Sequence, residues 1–199
     1  MQKTIAFFDF DGTITRKDSM VEFIKFSRGT TAFYKSLALL SPWLTGMKLG
    51  IFKNAFVKEK MLTYFFKGML LKDFNTLCNK FSDDHLSKMI RPDAMEAIIK
   101  HQEEGHEVVV VTASAENWIS DWCRKTGIKY IATRLSVDSN NRISGKLNGA
   151  NCNGKEKVNR IIQLYDPADY KNIYCYGDSD GDMLMLKLAT HPHYRHFKK

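Results

Sequence analysis

An α/β fold, a doubly wound and mostly parallel sheet interrupted by an all-helical insertion, is predicted by three features of the sequence. Apolar runs of strand type at residues 5–8, 108–111 and 172–176 alternate with stretches of helical period. Polar and acidic residues able to do chemistry follow each run immediately, where a parallel sheet presents its strands' carboxyl ends. The region between the first and second runs keeps a helical period throughout.

Taken in order, residues 5–8 form the first strand, and Gly12 and Thr13 after it suit a tight turn that lets the backbone approach a phosphate. Asp18 or Ser19 then caps a helix whose Met20, Phe23, Ile24 and Ser27 share a face and which Gly29 stops. Residues 31–52 are apolar but broken by Lys35, Pro42, Gly46, Lys48 and Gly50, and helices are expected over 52–67 and 72–82. Residues 17–88 therefore read as a helical cap, with 1–16 and 89–199 as the α/β core. Asp93 is placed to cap a helix through Glu104, ended by Gly105. The all-valine run 108–111 is a strand buried on both faces. A helix over 117–126, a strand over 129–137, a hairpin turn at Asn140-Asn141 and a helix over 155–165 follow. A strand over 172–176 and a helix over 180–189 complete the pattern.

With 199 residues, 44% of them hydrophobic, the chain can bury a sizeable core. The four cysteines form no CxxC and no disulfide framework, so a reducing cytoplasm is the expected home. The expected first strand leaves no room for a signal peptide ahead of Asp9. The longest uncharged stretch of the cap, residues 36–47, has 12 residues against the roughly 20 a helix needs to span a bilayer, so it could touch a membrane peripherally but not cross it. The net charge of +8 is concentrated there: residues 29–90 hold nine lysines, four acids and no arginine. Without arginine or a recognisable motif, nucleic acid is not expected as a partner.

Chemistry concentrates at the predicted strand ends. Asp9 and Asp11 stand two apart, so continued extended geometry would turn both carboxylates to one side, where two close anions call for a hard cation such as Mg2+. Thr112-Ala113-Ser114 follows the valine strand with a hydroxyl and free N–H groups suited to a phosphate oxygen. Lys155 and Lys157 open a helix, where basic side chains oppose the dipole unless an anion is near. Gly177-Asp178-Ser179-Asp180-Gly181-Asp182 packs three carboxylates after the last predicted strand. His191, His193 and His196 could ligate a metal, but a basic exposed tail accounts for them equally.

In this order the motifs resemble the haloacid dehalogenase superfamily, specifically its phosphoserine-phosphatase-like branch. Asp9-Phe10-Asp11-Gly12-Thr13 matches the first motif, Thr112 the second, Lys157 or Lys155 the third, and Gly177-Asp178 through Asp182 the fourth. The resemblance implies a Mg2+-dependent phosphatase acting on a small phosphorylated metabolite. Asp9 would be the nucleophile that forms an aspartyl phosphate, and Asp11 the general acid and base. Asp178 would hold the metal with Asp9 and the Asp11 carbonyl, and Asp182 would hold the metal's waters or Lys157. Thr112 and Lys157 would steady the phosphoryl group, with Gly12, Thr13, Ala113 and Ser114 around the substrate. Asp18 stands where phosphoserine phosphatases place a Glu, and residues 29–90, most of the cap, hold no Arg of the kind theirs carries. The apolar cap residues Phe33, Tyr34, Leu37, Leu39, Leu40, Trp43 and Leu44 beside lysines read first as the core of a helix bundle; they are also similar to relatives that dephosphorylate phospholipids, which makes a phosphatidylglycerophosphatase the second reading. A phosphomutase shares the Asp-x-Asp pair. A non-catalytic membrane- or partner-binding module would require a missing catalytic residue, and all are present.

Overall fold

The computed structural model describes residues 3–198. Among them the strands, in chain order, are β1 (Lys3–Phe8), β2 (Glu107–Ala115), β3 (Lys129–Thr133), β4 (Leu135–Val137), β5 (Ile143–Leu147), β6 (Tyr170–Gly177) and β7 (His191–Tyr194). Five make one all-parallel sheet in the order β3-β2-β1-β6-β7, and β4 and β5 pair antiparallel as a separate hairpin. The helices are α1 (Ser19–Arg28), α2 (Thr30–Leu39), α3 (Ser41–Lys48), α4 (Asn54–Phe66), α5 (Leu71–Asp84), α6 (Pro92–Glu103), α7 (Glu116–Thr126), α8 (Lys155–Leu164) and α9 (Met183–Leu186).

Side-chain alternation along the central strands divides the core in two. Ile5 and Phe7 of β1 join Val109, Val111, Ile173 and Cys175 on the face covered by Ile161 of α8 and Met185 of α9. Ala6 and Phe8 join Val108, Val110 and Tyr176 on the face covered by α6 and α7, and this cluster runs on into the helices of residues 19–84. Phe23 of α1 is the joint: its ring lies 5.2–5.6 Å from those of Phe66, Phe74, Phe81 and Trp118, and the Trp118 indole N–H donates to Ser19 Oγ at 3.0 Å. The two chain segments that lead into and out of α1–α5 pair antiparallel, through the Thr15–Ile90 bridge and the bonds from Arg16 N to Met89 O and Arg91 N to Ile14 O. A second connection comes from the hairpin. Gly68 N donates to Ile143 O and Ile143 N to Met69 O, while Glu59 accepts from Leu147 N and Lys146 Nζ.

Several local expectations are corrected. Residues 31–52 are two helices, broken at Leu40 ahead of Pro42. Pro92 rather than Asp93 opens α6, since proline's fixed φ and missing N–H suit the first turn, and Asp93 bonds only the adjacent Ala94 N–H. The segment 129–137 is two strands in two different sheets. Residues 180–189 hold a tight turn and a single short helix, α9, and the supposed tail supplies edge strand β7 with Phe197 buried against the core.

Candidate active site

Asp9 is the residue after β1, and its N–H donates to Tyr176 O, extending the ladder by one position. The chain then leaves the sheet in a wide turn over Phe10–Ile14, closed by Thr15 N–H donating to Phe10 O; Asp11 is extended on its own but Gly12 reverses the chain, so the continuous strand expected through Asp11 breaks after Asp9. Gly12 sits at φ +84°, a conformation that favours glycine, and a Cβ there would lie 2.5 Å from Asp178 Oδ2. The turn separates the two carboxylates by task. Asp11 swings to Ser19 N–H at 2.7 Å and to the Ser114 hydroxyl, whereas Asp9 stays beside Lys157. Both still line one cleft of about 280 Å³.

Lys157 is 1% exposed and its three ammonium protons are all engaged: Asp9 Oδ1 at 2.5 Å, Asp182 Oδ1 at 2.7 Å and the Val111 carbonyl at 2.7 Å. Burial alone would lower its pKa, but Asp9 and Asp182 outweigh that and hold it charged. Lys155 is exposed at the start of α8, which settles which of the two lysines reaches the carboxylates. Asp182 is fully occupied: Oδ1 takes Lys157, and Oδ2 accepts from the N–H groups of Asp178 and Ser179 and from the Ser179 hydroxyl. Burial would raise its carboxyl, but Lys157 and Ser179 together keep it low.

Asp9, Asp178 and Asp182 offer oxygens within 4.8 Å of one another. Burial pushes the Asp9 carboxyl up to about 7 against the pull of Lys157, with Asp182 and Asp11 adding to the rise. Burial and the nearby Asp18 likewise lift Asp11 to about 6. Among the described residues, Asp178 pairs with Lys198 Nζ at 2.5 Å. The donor set is all oxygen and short of positive charge, so it fits a hard cation such as Mg2+.

The other expected residues divide. Thr112 lines the cleft and its hydroxyl accepts from Ser114 N–H, while Ser114 Oγ also meets Ser19 Oγ at 2.7 Å. Ala113 faces the cleft too, with its carbonyl turned to a lysine from the helical insertion. Asp18 caps α1 by accepting from Val21 N–H, and it also lines the cleft. Gly12 and Thr13 do not line it. The Thr13 hydroxyl stands 3.4 Å from both Asp9 and Asp178, a bridge behind the carboxylates rather than a surface for substrate. The histidines of the tail pack on tyrosines: His191 and His193 stack on Tyr174 and Tyr176, and His196 lies edge-on to Tyr176.

Lys58 of α4 was not singled out from the sequence. It is 7% exposed, lines the cleft, and reaches Ala113 O and Asn151 Oδ1, the latter at 3.3 Å. Burial lowers its ammonium to about 8, with Asp11 and Asp18 opposing. Asn54, Asn151 and Asn153 line the same space. The signal was present: Lys58, Met61, Leu62 and Phe65 share the buried face of α4, and a lysine in such a row needs a partner. Larger grooves, of about 450 and 610 Å³ around Tyr130 and Leu164, lie away from the carboxylates, so volume alone does not locate the chemistry.

No helix among the described residues is long and apolar enough to cross a membrane. Compared with known proteins, the chain is 33% identical to protein CicA of Caulobacter vibrioides over 195 residues, covering 96% of this chain and 85% of that one. It is 28% identical to a probable phosphatase of Mycobacterium tuberculosis, covering 95% of this chain and 67% of the relative. The fold matches a protein of unknown function from Bordetella pertussis with a TM-score of 0.82 at 20% identity, over 96% of this chain and 88% of that one. It also matches a substrate-bound phosphoserine phosphatase with a TM-score of 0.67 at 16% identity, over 95% and 84%. Residues 6–187, which run from β1 to the end of α9 and hold every carboxylate described above, match the family model for haloacid dehalogenase-like hydrolases, and the chain belongs to that family.

Proposed function

We propose that this hydrolase is a Mg2+-dependent phosphatase that cleaves phosphomonoesters of small metabolites through a covalent intermediate on Asp9. The observation that carries the reading is the buried Asp9–Lys157–Asp182 array at the end of β1, with Asp11 facing the same cleft from its own hydrogen-bonded seat. The kinship with a probable phosphatase supports it. A carboxylate oxygen of Asp9 attacks phosphorus while the bond to the leaving oxygen breaks, and Asp11 gives that oxygen its proton. Burial and Asp18 raise the Asp11 carboxyl, the direction a proton donor needs, while Lys157 beside Asp9 pulls the nucleophile toward its ionised form. Asp11 then takes a proton from the water that hydrolyses the acyl phosphate, returning Asp9 to its carboxylate. Lys157, fixed by Asp182, sets a positive charge beside Asp9 that steadies the transferring phosphoryl group without a direct bond to it, and the Thr112–Ser114 segment faces the same cleft. Mg2+ held by Asp9, Asp178 and the Asp11 carbonyl would neutralise charge on nucleophile and phosphate. Both oxygens of Asp182 being in use argues that it serves Lys157 rather than the ion directly.

We read residues 17–88 as a cap over a core of 1–16 and 89–199, a division supported by the paired linkers at Thr15 and Ile90. Lys58 brings a cap cation to the cleft, which suits a leaving group with its own anionic or polar end. Phosphate release with Mg2+ and with EDTA, over phosphoserine, sugar phosphates, nucleotides and phosphatidylglycerophosphate in detergent, tests the class and the substrate together. Asp9→Asn is expected to lower turnover by about a thousandfold or more with folding intact, and substantial residual activity would sink the nucleophile assignment. Lys58→Met is expected to cost about tenfold or more in kcat/KM, mainly through KM, on the true substrate.

One observation favours the phospholipid reading and a peripheral membrane contact. Tyr34, Leu39, Leu49 and Ile51 are all more than half exposed, on a segment with no Asp or Glu from Gly29 to Lys58. Preference for the detergent-solubilised lipid over every soluble ester in the panel would move the assignment there. Phosphate retained on a sugar substrate instead of released would indicate a mutase.

A further inference from the structure

Helix α6 ends in a hydrogen-bonded pattern that forces two side chains together. Glu104 is its last half-turn residue, Gly105 follows at φ +72°, Gly105 N donates to Gln102 O and His106 N donates to His101 O. This is a Schellman ending, in which the third residue from the end and the second residue past it meet, ordinarily as a hydrophobic pair. Here both are imidazoles. His101 Nδ1 and His106 Nδ1 face each other at 2.9 Å, and Glu104 Oε2 stands 3.4 Å from His106 Nδ1. The three potential ligand atoms lie within 4.8 Å of one another, and none of the three residues lines the carboxylate cleft.

The second observation concerns the far side of His101. Its Nε2 lies 3.1 Å from the Tyr176 hydroxyl, inside the core, with the residue 6% exposed. A ligating histidine is ordinarily oriented by such a bond from its other nitrogen, with that nitrogen donating and Nδ1 left with its lone pair. Tetrahedral coordination at usual zinc–nitrogen lengths separates two ring nitrogens by about 3.3 Å, so the pair needs to open by only a few tenths of an ångström.

We propose that His101, Glu104 and His106 form a binding site for a borderline divalent cation, Zn2+ by its donor set, separate from the catalytic carboxylates. Two imidazoles and one carboxylate are the ligands of a site that leaves a position open to water, and they rank Zn2+ well above Mg2+. Without the ion, His106 Nδ1–H donates to His101 Nδ1; on binding, that proton moves to His106 Nε2 and the ion takes its place between the two Nδ1 lone pairs. Its effect is mechanical: it ties the end of α6 and the start of β2 together beside Tyr176, whose strand leads to Gly177 and Asp178.

The test uses the full chain, stripped with EDTA and dialysed against Zn2+ in a large excess of Mg2+, with zinc counted per chain. Wild type is expected to hold one zinc more than Glu104→Gln/His106→Asn, and Asp178→Asn is expected to keep that zinc. Co2+ added to Asp178→Asn should show the visible bands of an imidazole-ligated ion, a readout that needs neither activity nor the double variant. Zn2+ should also raise the melting temperature of wild type by several degrees and leave the double variant unmoved. Equal zinc in wild type and the double variant, zinc lost only with Asp178→Asn, or Co2+ without imidazole bands would each overturn the proposal.

Discussion

The sheet's carboxyl edge and the helical segment α1–α5 meet at one cleft but are built on opposite plans. At the sheet edge nearly every polar atom is committed: Lys157 spends all three protons, Asp182 both oxygens, and Thr13 stands between two carboxylates. The helical segment is held by aromatic packing around Phe23, sends a single buried ammonium into the cleft, and leaves Tyr34, Leu39, Leu49 and Ile51 exposed on its outside. A preorganised edge suits a fixed chemical step, since charges that need not move cost nothing to reorient as the reaction proceeds. A packed but sparsely hydrogen-bonded cover suits the choice of what reaches it. On this view catalysis and selection reside in different halves of the molecule, and substitutions can separate them.

The largest effect should come from the joint between the halves. Phe23 is fully buried against rings from α4, α5 and α7, so Phe23→Ala is expected to cost about 3–5 kcal/mol. Because those rings belong to both halves, chemical denaturation followed by tryptophan fluorescence and by circular dichroism should still show a single coincident transition, at lower midpoint. Two separated transitions would mean that the helical segment and the sheet fold independently, and that the shared cluster is incidental.

The same contrast decides what could be read from residues alone. The edge is legible because its chemistry is local: a strand must end where Asp9-Phe10-Asp11-Gly12 turns, and three carboxylates in seven residues at 176–182 mark a loop that gathers positive charge, which Lys157 supplies to Asp182 and Lys198 to Asp178. What stayed hidden depends on long-range packing. Lys58 is one of nine lysines in its region, and only the fold carries its ammonium to Ala113, 55 residues on. Residues 129–137 contain no glycine, proline or other turn signal, so nothing local marks Arg134 as the point where the chain leaves one sheet for another. Strand β7 reads His-Pro-His-Tyr, a poor strand by composition, and it exists because β6 offers an open edge on which His191 and His193 stack against Tyr174 and Tyr176.

The hairpin β4–β5 gives the next largest effect. Gly145 sits at φ +80°, and a Cβ there would lie 2.4 Å from Thr63 Cα in α4, a backbone atom that cannot step aside. Gly145→Ala should therefore cost about 2–4 kcal/mol, combining the left-handed backbone penalty with overpacking. If the hairpin is a clamp that seats α4, and with it Lys58, over the cleft, the variant should also raise KM while leaving kcat within about twofold. An unchanged KM in a destabilised but folded variant would confine the hairpin to a structural role and sharpen the division between cover and edge.

The smallest effect tests whether the cover has any electrostatic anchor of its own. Glu22 of α1 is buried and receives Lys25 Nζ at 2.9 Å and His85 Nε2 at 3.2 Å, with Lys17 at 3.7 Å. Burial would raise its carboxyl, but the hydrogen bonds from Lys25 and His85 and the charges of Lys25 and Lys17 together hold it below its ordinary value. A carboxyl depressed in the folded chain binds fewer protons there than in the unfolded chain, so its contribution is complete above the unfolded value near 4.5 and is lost as pH falls through the folded value. Glu22→Gln should accordingly cost about 1–2 kcal/mol at pH 7, and urea titrations at pH 7 and pH 3.5 should show the gap between wild type and variant closing at the lower pH. A gap that stayed constant with pH would assign Glu22 a packing role only, leaving the joint at α1 to its aromatic cluster, in contrast with the charge-locked edge.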